Sequence, residues 1–108
     1  MDERLERIAK NETVFRAVNR ELRQVEGETS GTSDQLIDVL CECGRQGCSG
    51  VLSMTVADYE SVHSQKDRFV VQQGHENAEI ERVVEERPGY LVVDKFGEAE
   101  EIAEQAPT

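Results

Sequence analysis

Apolar side chains recur every three or four residues through the first quarter of the chain and then give way to short runs of strand type. Leu5, Ile8, Phe15, Val18, Leu22 and Val25 fall on one stripe at helical spacing, which predicts an amphipathic helix over 1–26 with that stripe on a core. Glu3/Arg7, Glu6/Lys10 and Glu12/Arg16 stand four apart with the acid first, the favourable order for ion pairs on a solvated helix face. Residues 27–34 are polar and aperiodic and read as a linker. Apolar runs at 36–41 and 51–54 predict two strands of an antiparallel hairpin. Thr55 with Asp58 three residues on has the form of an N-cap opening a short helix over 56–64. A third strand is predicted at 68–72. Residues 79–87 and 90–95 flank Pro88-Gly89 and read as a second hairpin. Ile80, Val83 and Val84 also suit a helical period, and the strand is the favoured reading of that arm. The acidic segment 98–108 is a short helix or a frayed end. Together these elements predict an α+β domain, a long N-terminal helix packed on a small antiparallel sheet in a body spanning 35–97.

The chemistry of the chain is concentrated between the first two strands, in Cys41-Glu42-Cys43-Gly44-Arg45-Gln46-Gly47-Cys48. All three cysteines lie there. Cys41 and Cys43 are two apart, so in an extended segment their side chains leave one face. Gly44 and Gly47 allow the positive φ angles of a reversal that brings Cys48 back to that face. Their N–H groups are candidates to support the sulfurs, and the Arg45 cation is a candidate to depress the thiol pKa values. Zinc takes four such donors in a tetrahedron. The fourth donor is one of two histidines, His75 in Gln73-Gly74-His75-Glu76 or His63 at the end of the short helix. His75 is preferred, because it stands in a loop with a glycine beside it. His63→Ala is then expected to leave metal content and stability unchanged. Three reduced thiols without a metal is the bland alternative, and a disulfide fits the odd count less well.

Composition narrows the function. The 108 residues are one domain's worth, with 37% hydrophobic and 5% aromatic content and no tryptophan, a thin core for which a metal cross-link would supply folding free energy. The net charge is −11 and the sequence pI about 4.5, a field that repels phosphate backbones and disfavours nucleic acid as a partner. Residues 1–25 hold six basic and five acidic side chains, so the acidity belongs to the remainder, where six basic face eighteen acidic. No apolar run is long enough to span a membrane. Reduced cysteines and the absence of an export signal at the start point to the cytoplasm.

Cys41-Glu42-Cys43-Gly44 with Cys48, Thr55 with Asp58-Tyr59-Glu60, Arg68-Phe69-Val70-Val71, Gly74-His75-Glu76, Glu81-Arg82-Val83-Val84 and Tyr90-Leu91-Val92-Val93 occur in that order. This arrangement resembles a family of small uncharacterised bacterial proteins, mostly from high-GC Gram-positive bacteria. Its members begin with a long helix and carry a CxCG…C segment followed by PGHE and a YxVV strand. Gln73 stands where the family usually has proline. The resemblance implies zinc held by Cys41, Cys43, Cys48 and His75, and it implies no activity.

The expected function is therefore that of a structural-zinc protein, a protein-interaction or regulatory module and not an enzyme. The heptad spacing of Ile8, Phe15 and Leu22 admits a homodimer through the helix. A thiol-based redox or metal sensor is the alternative. A zinc hydrolase or deaminase with Glu76 as base is disfavoured, because neither the H-x-E nor the P-C-x-x-C half of a deaminase site is present.

Overall fold

The computed structural model describes residues 1–30 and 34–106, residues 23–30 by their backbone alone. In chain order it contains α1 (Glu3–Ser30), β1 (Leu36–Leu40), β2 (Val51–Thr55), α2 (Val56–Val62), β3 (Arg68–Val71), β4 (Glu81–Arg87), β5 (Tyr90–Lys95) and α3 (Gly97–Gln105). The α+β class expected from the sequence is the class observed. α1 continues four residues into the segment read as a linker over 27–34, of which 31–33 lie outside the described residues. Gly27 costs a helix only about 1 kcal/mol, which weakens the turn without ending it.

β1 and β2 form an antiparallel hairpin, with Leu40 opposite Val51 beside the cysteine turn. Burial alternates along both strands, so Ile37, Val39, Leu52 and Met54 face inward while Leu36 and Val51 stay outside. Thr55 caps α2 as expected, its side chain accepting from the Asp58 N–H at 3.1 Å. The second sheet has the order β3-β5-β4, antiparallel throughout. Its central strand β5 is buried from Tyr90 to Val93. Gly89 takes φ 88° in the Pro88-Gly89 turn, so the hairpin there is the one predicted. The arm 79–87 is resolved in favour of the strand, with a register shift between Val83 and Glu85 against β5. Glu42 joins the two sheets, because its N–H donates to the Val70 carbonyl at 2.8 Å.

The apolar interior falls into three parts. One lies between the β1–β2 hairpin, α2 and β5, and includes Tyr59, Val62 and Val70. A second packs Cys41 and Cys43 on Phe69, Val71, Leu91, Val93 and Ala103. A third joins α1 to α3 through Ala9, Ile80 and Ala99, with Leu5, Ile8 and Ile102 at its margin. The acidic C-terminal segment is therefore a docked helix, and Ala99 and Ala103 are its buried face.

The inward face of α1 differs from the predicted stripe. Leu5 and Ile8 pack as expected, but Val18 and Leu22 are 38% and 47% exposed, as is Val14 at 58%. The side chain of Val25 lies outside the described ones. The buried positions along this part of the helix are Ala9, Glu12, Arg16 and Asn19. Glu6 and Lys10 do pair on the surface at 3.0 Å. Glu12 and Arg16, expected as another solvated pair, instead enter the core. The physical reason is that partners await them there. Glu12 meets Lys95, which also meets Glu81 from β4. Arg16 donates to the carbonyls of Lys66 and Ala103 and lies over the Phe69 ring, 4.3 Å from its centroid. Buried polar groups are tolerated where such bonds replace water.

Candidate metal centre

Cys41 and Cys43 follow directly on β1 and are buried, while Cys48 is partly exposed on the returning limb. Gly44 and Gly47 carry φ of 69° and 83°, the left-handed conformation the reversal was expected to need. Gly44 also lies against α1, where a Cβ would come within 2.5 Å of the Ile8 carbonyl oxygen and 2.7 Å of Glu12 Cγ. The turn is thus seated on the helix, and Asn11 Nδ2 donates to the Gly44 carbonyl at 3.4 Å.

His75 arrives from the loop after β3. Its Nδ1 is 3.7 Å from Cys41 Sγ and 3.6 Å from Cys48 Sγ. One donor atom from each of Cys41, Cys43, Cys48 and His75 falls within a set no more than 4.8 Å across. A tetrahedron with metal–donor bonds of about 2.0–2.3 Å has edges of roughly 3.3–3.8 Å, so these separations fit a common metal ion with little movement. The four candidate ligands named from the sequence, Cys41, Cys43, Cys48 and His75, are brought together. His63 is not among them.

Cys41 and Cys43 share a proton, and their acidities move apart. The Cys43 thiol is pulled down to about 4, first by its hydrogen bond with Cys41 and further by the Arg45 backbone N–H, His75 and Cys48. Cys41 moves the other way, raised by holding the shared proton and by burial. The expected role of the Arg45 cation is corrected here. Its backbone N–H acts on Cys43, while its guanidinium donates to the Glu76 carbonyl at 3.5 Å. The predicted glycine N–H support also comes from elsewhere. The Gln72 N–H donates to Cys41 Sγ at 3.2 Å. Glu76 has a buried Oε1 without a hydrogen-bond partner among the described residues.

Behind the cysteines lies a polar network that the sequence reading missed. Glu42 points opposite to its two cysteine neighbours and is fully buried. Its carboxylate accepts from Asn19 Nδ2 at 2.8 Å and from the Val70 N–H at 3.0 Å, and faces His63 Nε2 at 2.9 Å. His63 Nδ1 faces the Tyr59 carbonyl at 3.1 Å, and the imidazole stacks on the Tyr59 ring. Asn19 also bonds both the N–H and the carbonyl of Leu40, at 2.8 and 3.0 Å, as a neighbouring strand would. His63 is therefore a structural group and not the inert spare first expected. The available signal was alternation: if Cys41 and Cys43 share one face, Glu42 must occupy the other.

The fold and the four-donor cluster define an α+β protein with a Cys3His site able to hold a metal ion. No described helix is long and apolar enough to cross a membrane. No family model, curated protein or solved structure matches the chain.

Proposed function

We propose that this is a small structural-zinc protein that acts through contact with another protein, as an interaction or regulatory module of the cytoplasm. The observation that supports the reading most is the closure of the Cys3His set around one point. Three thiolates and an imidazole are the donor set that zinc favours, and four protein donors leave no position for water or substrate. The site would then tie the β1–β2 turn to the loop after β3, closing 26 residues between Cys48 and His75. Apolar side chains left outside on α1, among them Val14, Val18 and Leu22, fit a contact role, with either a partner protein or a second copy of the chain.

Cobalt(II) tests the ligand assignment, because its visible spectrum reports coordination directly. The metal-free protein titrated with cobalt should develop thiolate charge-transfer absorption and the d–d bands of tetrahedral geometry, saturating at one equivalent. His75→Ala should change those d–d bands or abolish binding, and His63→Ala should leave their positions unaltered. Octahedral bands, or a spectrum sensitive to His63 and blind to His75, would overturn the ligand set.

A further inference from the structure

We propose that Cys48 is an oxidation site: it is the first of the three cysteines to be oxidised by a peroxide, Cys43 resolves it as a disulfide, and metal binding is lost while the sheet beneath keeps its hydrogen bonds. The inference rests on the metal reading above and concerns the regulation of that same centre.

Exposure is the first observation that carries it. Cys41 and Cys43 are each 2% exposed, whereas Cys48 is partly exposed in a segment, 45–50, where four of six residues are exposed. An oxidant in solution reaches one of the three sulfurs more readily than the others.

The anchoring is equally unequal. The stretch carrying Cys41 and Cys43 is held from several sides. Asn19 brackets Leu40, Glu42 binds Asn19, His63 and the Val70 peptide, and Gly44 is pressed on α1. None of these bonds involves a metal ligand's side chain. The limb carrying Cys48 is closed by the Cys48 N–H to the Arg45 carbonyl at 3.2 Å and by the Cys41 N–H to the Gly50 carbonyl at 2.9 Å. Besides the Cys48–His75 contact of 3.6 Å, a side chain of this limb is tied by the long Arg45–Glu76 contact of 3.5 Å. At Gly47 an added Cβ would meet nothing within 4 Å.

Proximity completes the argument. The sulfurs of Cys43 and Cys48 lie within the set 4.8 Å across, and a disulfide needs about 2.05 Å. The limb 45–50 contains Gly47 at φ 83°, where an added Cβ would meet nothing within 4 Å, and can supply that movement while the clamped strand stays in place.

The reaction balances with hydrogen peroxide as the two-electron oxidant. Cys48 thiolate attacks one peroxide oxygen, the O–O bond breaks, and Cys48 sulfenic acid and hydroxide form. Cys43 thiolate then attacks the sulfenic sulfur, forming the S–S bond and expelling a second hydroxide. Both hydroxides take protons from solvent to give water. Cys41 and His75 alone would then remain as donors, two of the four that would hold a metal. A dithiol reductant returns the two electrons and restores both thiolates.

The test uses the full chain after its zinc content has been measured. Hydrogen peroxide is added with and without dimedone, which traps sulfenic acid. Zinc release is followed with a chromogenic chelator, the modified cysteines by peptide mass spectrometry, and backbone protection by amide hydrogen exchange. Dimedone should label Cys48 roughly tenfold more than Cys41 or Cys43, as its exposure dictates. Without the trap, one zinc should be lost for each Cys43–Cys48 disulfide formed. The amides of Leu40, Glu42 and Val70 should stay protected, and a dithiol with added zinc should reverse the change. Even labelling of the three cysteines, a Cys41–Cys43 bridge, or zinc retained under peroxide would overturn the assignment. A sample holding no zinc before peroxide is added would instead overturn the metal reading on which it rests.

Discussion

Glu42→Ala should lower the unfolding free energy by about 3–5 kcal/mol, because it strands buried donors at Val70, Asn19 and His63 that each cost roughly 1–3 kcal/mol when unsatisfied. The carboxylate is fully buried among those three partners, so no water stands ready to replace it. A domain of this size typically has only about 5–15 kcal/mol of stability, and the loss corresponds to a fall in Tm of roughly 15 °C or more. Thermal and urea unfolding measure it. The double variant Asn19→Ala/Glu42→Ala should cost less than the sum of its parts, since one network is removed twice. A loss below about 1 kcal/mol would show that Glu42 is not the clamp described.

Lys95→Met should cost a similar amount, about 3–5 kcal/mol, for the opposite reason: it leaves two carboxylates, Glu12 and Glu81, in the core without their shared cation. All three groups are buried. Glu12→Gln should be much milder and should change the pH dependence. Burial holds the Glu12 carboxyl well above its ordinary value of 4.5, with the neighbouring Glu81 adding to the rise and Lys95 opposing it. A raised value means that the folded chain binds the proton more readily than the unfolded chain. The resulting stability is fully present below pH 4.5 and is lost as pH rises through the folded value. Glu12→Gln removes that titration, so its stability relative to the parent should improve as pH is raised from acid to neutral. A difference that is flat with pH would contradict the assignment.

The contrast between these networks and the Cys3His cluster shows what could be read from residues alone. Cysteine spacing, two glycines and a histidine in a loop carry their geometry with them, because a short chain segment restricts where its own side chains can point. The four donors were accordingly legible before any coordinates. So were the two hairpins, whose alternation and Pro-Gly turn are local signals. Glu12, Arg16, Asn19, Glu42 and Lys95 were not. Each is buried because of a partner distant in the chain, 83 residues away for the Glu12–Lys95 pair, and nothing in a window of neighbours reveals it. The same long-range pairing explains why Val18 and Leu22 remain outside. A helix side with bonded polar groups packed inward at Glu12, Arg16 and Asn19, and the apolar side was left to solvent. Periodicity located the helix correctly and its deeper face incorrectly.

The proposed structural role of the metal meets its most direct trial in elemental analysis of protein purified under reducing conditions without added metal. The account predicts one zinc per chain in the parent and in His63→Ala, with zinc lost and Tm lowered in Cys43→Ser. Parent protein that carries no zinc, titrates three free thiols and melts at the same temperature with or without a chelator would contradict it.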